Sequence, residues 1–234
     1  RLGMKNSHFM NSTGLPHPEH YSSARDMAIL ARAIINEDAE HYAIYSQKEF
    51  LWNNIKQPNR NLLLWRDRTV DGLKTGHTSE AGYCLVASAV RDGARMITSV
   101  FGTDSEQARA AETQKLLTYG FRFFESRTFY QKGAELAQAT VWKGAASQVK
   151  AGLAEDLTMT MAKGQLEKLQ ASMTLNPQLI APIQQGDVIG KVEVKLGDEV
   201  VRSTDLVALE SVEEGGLLRR LWDSIRLFFF GLFN

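Results

Sequence analysis

Val70-Asp71-Gly72-Leu73-Lys74-Thr75-Gly76-His77-Thr78 is the most informative stretch of this 234-residue chain. It leads through Ala81-Gly82-Tyr83 into a short, largely apolar run, Gly82 to Val90, which reads as a strand. Asp92-Gly93 is a turn signal, and Met96 to Phe101 reads as the returning strand of a hairpin. The Lys-Thr-Gly triplet can therefore lie on a strand beside an antiparallel hairpin. Such a strand has specific chemistry to offer. Lys74 supplies a cation for a substrate carboxylate, or for lowering the pKa of a nearby proton acceptor. Thr75 supplies a hydroxyl. Gly76 has no Cβ, so a substrate backbone can approach closely. The N–H of His77 can point at a developing oxyanion. Taken alone, the triplet is better read as an exposed turn with a solvated lysine.

Outward from this stretch, residues 1 to about 126 mix helices and strands. Ser23, with Asp26 three residues on, has capping-box spacing, and Met27, Leu30, Ala31 and Ile34 follow at helical intervals. Asn53 to Asn61 is polar and asparagine-rich, which predicts loop. Asp104 with Gln107 predicts a second cap. The helix behind it runs to about Phe124 with Leu116, Leu117, Phe121 and Phe124 as its buried stripe.

From 127 to 212 the texture changes. Short β-like runs (Ala139 to Trp142, Leu157 to Met161, Ala171 to Leu175, Val188 to Val194, Glu199 to Val201, Leu206 to Leu209) alternate with turn signals such as Asn176-Pro177 and Gly197-Asp198. This spacing predicts a small all-β sandwich or barrel. Residues 213–234 form a third section. Glu213-Glu214-Gly215-Gly216 breaks the chain, and a helical pattern follows. Stepping about 100° per residue, Arg219, Arg220, Asp223 and Arg226 share one arc. Leu218, Leu221, Trp222, Ile225, Phe228, Phe229 and Leu232 share the other. A helix of this kind lies in a membrane interface, aromatics in the acyl boundary and arginines near anionic lipid. The alternatives are a core helix of the β section or a partner-docking helix. No apolar run reaches the ~18 residues of a transmembrane span.

Composition narrows the function. Lys plus Arg and Asp plus Glu are 27 each, a balance that argues against a nucleic-acid binder. The one cysteine, Cys84, can form no internal disulfide and reads as a buried free thiol. His8, His17, His20 and His41 show no metal-ligand spacing, so no metal and no cofactor is expected. Trp52, Trp65 and Trp142 read as core. Arg1-Leu2-Gly3-Met4-Lys5 is neither a secretory signal nor a natural start, and reads as chain cut from a longer parent.

Lys-Thr-Gly, with S-x-x-K and S-D-N, is the signature of penicillin-binding proteins and class A β-lactamases. Longer segments match as well: Gly3-Met4-Lys5-Asn6-Ser7-His8-Phe9, Tyr21 to Ala28, Arg60-Asn61-Leu62-Leu63-Leu64-Trp65, Val70 to Thr78, Lys115 to Glu125 and Val212 to Gly216. On these the chain resembles the low-molecular-mass D-alanyl-D-alanine carboxypeptidases along nearly its whole length. The resemblance implies an α+β fold: part of a β-lactamase/transpeptidase-like domain (1–126), a β sandwich (127–212) and an amphipathic anchor helix (213–234). It implies a serine that attacks the penultimate D-alanine carbonyl of a peptidoglycan stem peptide, with release of the terminal D-alanine and hydrolysis of the acyl-enzyme. β-Lactams acylate the same serine. In that frame Lys74, Thr75 and Gly76 bind substrate and His77 lends its backbone N–H to the oxyanion hole. Arg109, in Glu106-Gln107-Ala108-Arg109, grips the terminal carboxylate, and Arg60 stands beside the site. Without the resemblance, Arg109 reads as a solvated helix arginine and Arg60 as half of an ion pair.

The nucleophile is expected upstream. S-x-N is absent from the sequence, and S-x-x-K occurs once, at Ser147-Gln148-Val149-Lys150 in the β section. A nucleophilic serine of this type belongs at a helix start, its lysine one turn on; a strand splays the two to opposite faces. That match is read as coincidence, and the chain alone is expected to be inactive. Its first domain should lack half of its partners. A β-lactamase is disfavoured by the β section and tail. A non-catalytic spacer or protein-docking module stays open. So do a homodimer and the ligand of the β section. The expected location is the periplasmic face of the bacterial inner membrane.

Overall fold

The computed structural model describes the backbone of residues 1–232 and the side chains of residues 1–228. The chain divides into two compact units, Arg1–Phe124 and Glu125–Asn234.

The first unit opens with an extended segment bridged to itself at His8 and Tyr21, then enters α1 (Ala24–Glu37). Ser23 is the N-cap, its Oγ accepting the Asp26 N–H at 3.2 Å. The buried Asp26 carboxylate accepts the Asn6 N–H at 2.7 Å and the Ser7 hydroxyl at 2.8 Å, which ties the extended segment to the helix. A single turn, α2 (Ala39–Tyr42), follows. The stretch expected as loop from Asn53 instead contains a strand. β1 (Glu49–Trp52) and β2 (Ile55–Pro58) form a hairpin whose turn residues Asn53 and Asn54 sit at φ 49° and 60°. Two successive positive φ values make the primed turn that matches strand twist, and asparagine tolerates them well. Trp52 lies on this hairpin and is 69% exposed, and Trp65, in the short α3 (Leu63–Arg66), is 47% exposed, so neither belongs to the core.

β3 (Val70–Thr78), β4 (Gly82–Arg91) and β5 (Ala94–Thr103) form an antiparallel sheet in that order. The β4–β5 turn is the expected Asp92-Gly93, at φ 49° and 77°. Both faces of β4 are covered, which explains its near-continuous apolar run. Leu85, Ala87 and Ala89 pack in one cluster with Leu63, Leu64, Ala110 and Leu117, whereas Val86 packs with Ala31, Tyr42 and Leu73. α4 (Glu106–Phe123) covers the first face. Its N-cap is Ser105 rather than the expected Asp104: Ser105 takes the extended conformation and its Oγ accepts the Ala108 N–H at 3.0 Å. Its buried stripe holds Leu117 and Phe121 of the expected residues but not Leu116 or Phe124. Ala110, Thr113 and Leu117 face the sheet, and Leu116 is 46% exposed. Phe124 leaves the helix and begins β6 (Phe124–Tyr130).

In the second unit β7 (Ala137–Trp142), β8 (Gln148–Gly152), β9 (Leu157–Ala162), β10 (Leu169–Leu175), β11 (Leu179–Ile180), β12 (Val188–Leu196) and β13 (Glu199–Ala208) make two layers. A six-stranded sheet runs β10-β12-β13-β8-β7-β11, and β6 pairs with β9. Leu157 and Met159 of β9 share a core cluster with Val192, Val194 and Leu206, so the ribbon packs on the sheet. β13 is one strand where two were expected, because the polar run Arg202 to Asp205 interrupts its apolar pattern and hides its continuity. α5 (Leu217–Leu232) closes the described chain.

Candidate active site

Lys74, Thr75, Gly76 and His77 follow one another along β3, which is an edge strand of its sheet. Alternate backbone N–H groups of an edge strand point away from the sheet, where a substrate backbone or an oxyanion can meet them. Arg60 precedes α3, and Arg109 lies in the first turn of α4. All six side chains or backbones line one cleft of about 1460 Å³, with the extended segment from Phe9 to Ser22, Tyr83 and Glu106.

The arrangement of β3 is over-determined. Val70 pairs with Ala89 and Gly72 with Ser88, which leaves Asp71 as the extra residue of a β-bulge. The Asp71 carboxylate is held from two sides. Arg95 Nη1 lies 3.0 Å from Oδ1 and 2.7 Å from Oδ2, and the Tyr42 hydroxyl donates to Oδ1 at 2.7 Å. The same Nη1 donates to Ser88 Oγ at 2.6 Å. Burial raises the Tyr42 phenol to about 12; the Ser88 hydrogen bond opposes this and the neighbouring Asp71 carboxylate adds to it. Asn61, fully buried before α3, donates from Nδ2 to the Gly72 carbonyl at 3.0 Å. Bulges re-aim the strand that carries them, and this one lies three residues before Lys74.

The Lys74 side chain is exposed, and Nζ donates to the Thr75 carbonyl at 2.7 Å. The His77 ring rests on Tyr83, its partner across β4, with centroids 4.0 Å apart. Arg109 is 2% exposed, which overturns the solvated-arginine reading. Its guanidinium donates to the Gly76 carbonyl at 3.4 Å, the Arg60 carbonyl at 3.2 Å and Glu106 Oε1 at 3.1 Å, and lies 5.5 Å over the Tyr83 ring. Arg109 therefore ties the Lys-Thr-Gly strand to the Arg60 turn. The Arg60 side chain itself is exposed and has no ion-pair partner among the described residues. Tyr83 and the wall of residues 9 to 22 were not singled out from sequence. Hairpin register alone would have found Tyr83 opposite His77.

The lone S-x-x-K match stays outside the cleft, whereas His17, His20 and Cys84 line it. Ser147 sits in a bend before β8, and Lys150 on β8 lies 3.6 Å from Glu135, so neither belongs to a helix start. His8, His17 and His41 bond locally, to Glu19, to the Glu19 N–H and to Asp38. His20 Nδ1 accepts the Met10 N–H at 3.2 Å. Cys84 is half-buried on β4 opposite Gly76 and donates to the Ala81 carbonyl at 3.3 Å.

On the second unit, α5 docks through Asp223 while the arginines of its polar arc stay exposed. Asp223 is 7% exposed and accepts the Lys143 N–H at 2.7 Å. Arg219 donates to the Ala145 carbonyl at 3.1 Å, and Arg226 lies 5.3 Å over the Trp142 ring. The arginines expected near lipid thus contact protein. Leu218, Leu221, Trp222, Ile225 and Phe228 are 45–86% exposed. The side chains of Phe229 and Leu232 lie outside the described residues. The Glu213–Gly215 segment, expected to break the chain, is paired: Gly215 N–H donates to the Lys143 carbonyl and Ala145 N–H to the Glu213 carbonyl, both at 2.7 Å. A Cβ on Gly215 would lie 2.8 Å from the Gly144 carbonyl oxygen, so this glycine serves close approach rather than flexibility.

Residues 1–105 match the profile of the D-alanyl-D-alanine carboxypeptidase family, and residues 124–214 that of the penicillin-binding protein 5 C-terminal domain. The chain is 44% identical to D-alanyl-D-alanine carboxypeptidase DacC of Escherichia coli, over 98% of this chain and 58% of the relative. It is 42% identical to DacA of the same organism, over 97% and 57%. The solved structure of penicillin-binding protein 5 from Haemophilus influenzae superposes with a TM-score of 0.77 at 43% identity, covering 91% of this chain and 63% of that one. The chain spans less than two thirds of the length of these relatives. Two family profiles in series, and relatives matched along almost all of its residues, place this chain in the D-alanyl-D-alanine carboxypeptidase family of penicillin-binding proteins.

Proposed function

We propose that this chain supplies the substrate cradle of a serine D-alanyl-D-alanine carboxypeptidase, which trims the terminal D-alanine from peptidoglycan stem peptides through an acyl-enzyme and is acylated by β-lactams. The observation that carries the reading is the convergence of Lys74, Thr75, Gly76, His77, Arg60 and Arg109 on one cleft. An exposed ammonium beside a strand edge suits a substrate carboxylate, and outward N–H groups suit a developing oxyanion. A pure scaffold needs neither. Arg109, buried against the Gly76 and Arg60 carbonyls, sets the cleft's positive wall from behind.

The nucleophile and its lysine lie outside these 234 residues, so the chain alone neither hydrolyses D-alanyl-D-alanine nor forms a penicillin adduct. Fluorescent penicillin tests this on the chain and on a version extended upstream through the serine motifs. Labelling of the extended protein alone is expected. A stoichiometric adduct on the isolated chain overturns the division of labour, and labelling of neither overturns the enzymatic reading.

A membrane-tethering role accompanies the first and is favoured by α5, whose apolar arc faces out and whose Arg219, Arg220 and Arg226 stay exposed beside it. This arrangement supports peripheral attachment to anionic lipid at the periplasmic face of the inner membrane, with the β unit as spacer.

A further inference from the structure

A second groove, of about 910 Å³, runs over α3 and the later turns of α4. Its charges are one-sided: Arg66, Arg68, Lys115 and Arg122 line it against a single carboxylate, Asp67. Local geometry explains how they converge. Lys115, Tyr119 and Arg122 recur at i, i+4 and i+7, so they share one stripe of α4, with the two cations about 10 Å apart along the axis. Arg66 and Arg68 flank Asp67, and Asp67 is turned inward. Its Oδ1 accepts the Thr69 N–H at 2.9 Å and the Thr69 hydroxyl at 2.6 Å. Its Oδ2 accepts Arg91 Nη2 at 2.7 Å and Gln114 Nε2 at 3.1 Å. Burial pushes the Asp67 pKa up, but these bonds outweigh it and hold the group at about 2. Asp67 is therefore ionised, fully bonded and matched in charge by Arg91. It pins the turn and leaves its two neighbours facing out.

The remaining cations have only surface partners. Arg66, Arg68 and Arg122 are exposed and have no carboxylate partner among the described residues, although Arg122 lies 5.4 Å over the Phe123 ring. Lys115 pairs with Glu112 at 2.6 Å on an exposed surface, where such a pair is worth little. Tyr119 and Phe123 stand along the groove, 56% and 46% exposed, with ring centroids 4.8 Å apart.

We propose that this groove binds a phosphate-bearing anion with an apolar body. Guanidinium groups take phosphate oxygens bidentately, and four cations spread over the groove exceed what one carboxylate can meet. A phosphoryl or diphosphoryl group offers more oxygens and more charge. The paired rings give the apolar part of the ligand a wall to lie against. A lipid headgroup and a soluble phosphate ester share this chemistry. None of the groove residues lines the cleft of Lys74, so the inference stands apart from the enzymatic reading.

The test is an amide chemical-shift titration of the whole chain with inorganic pyrophosphate and, separately, with dihexanoylphosphatidylglycerol below its micellar concentration. Both are run on the wild type, on Arg66→Gln/Arg68→Gln and on Arg122→Gln. Saturable shifts at residues 66–69 and 115–123 are expected, weakened by salt and about tenfold weaker in the double variant. Response to pyrophosphate assigns a soluble phosphate, and response to the lipid alone assigns a headgroup. Either supports the site. No saturable shift at these amides with either probe, or unchanged affinity in both variants with dispersed spectra, overturns it.

Discussion

The Tyr42 hydroxyl oxygen lies 2.7 Å from where a Cβ on Gly72 would stand, so the bulge that precedes Lys74 closes only over a glycine. The ring carbons behind it are at 3.2 and 3.3 Å, and the ring cannot retreat without giving up Asp71. Gly72→Ala is expected to destabilise the first unit by about 2 kcal/mol through overpacking. In a Tyr42→Phe background the penalty should shrink, because the nearest atom is gone. Urea unfolding of the four members of the cycle checks this, and equal penalties in both backgrounds would refute the contact.

Tyr42 also sets an alkaline limit. An unfolded tyrosine titrates near 10, and the folded one near 12. The neutral form is the one the fold favours. Its contribution, on the order of 2 kcal/mol, is full below pH 10 and is lost as pH rises from 10 through 12. Tyr42→Phe should flatten the stability profile in that window. An unchanged slope there would show that other groups dominate.

Asp67 works in the opposite direction. Its folded pKa of about 2 lies below the ordinary 3.8, so its stabilising effect is present above 3.8 and fades as pH falls toward 2. Denaturant midpoints measured from pH 5 to 2 should fall less steeply in Asp67→Asn than in the wild type. The variant should also be less stable at neutral pH, since Arg91 loses its partner.

In a protein extended upstream through the serine motifs, Lys74→Ala should slow penicillin acylation about a hundredfold, the scale seen when one charge-stabilising group is removed from such a site. Its melting temperature should hardly move, because Lys74 is exposed and bonds only to its own strand. Arg109→Lys should lower both, since a lysine cannot span the Gly76, Arg60 and Glu106 oxygens that the planar fork meets. Stopped-flow labelling paired with thermal melts separates the two outcomes.

Asp223→Ala should free the Lys143 amide to exchange with solvent at least tenfold faster, because that amide's partner is the Asp223 carboxylate. Vesicle co-sedimentation should survive, as the exposed apolar arc is intact. Trp222→Glu should do the reverse, keeping amide protection and losing vesicle binding. If both variants change both readouts, docking and membrane attachment are one event.

Much of this molecule was legible in its residues. The Ser23 cap, the Asp92-Gly93 hairpin turn and the β character after residue 127 each follow from local chemistry. The Asn53-Asn54 hairpin was not read, because its strands are exposed and their polar turn resembles loop. The α4 stripe was half legible: Leu117 and Phe121 pack on the core as expected, whereas Leu116 and Phe124 stay exposed, and only the sheet decides between such equally apolar residues. Arg109 shows the same limit. Nothing in Glu106-Gln107-Ala108-Arg109 distinguishes a solvated guanidinium from one 2% exposed.

The sequence by itself determined the family, the Lys-Thr-Gly strand and the two-faced tail, because each rests on short-range order: motif, turn chemistry and helical period. The tertiary structure alone decided which way those elements face. It set the Asp71 bulge through Tyr42 and Arg95, residues 29 and 24 positions away, and it docked the tail's Asp223 onto a turn 80 positions upstream. The physical reason is that a buried charge or hydroxyl accepts whatever partner the packed chain brings within hydrogen-bond reach, and linear spacing does not encode that partner.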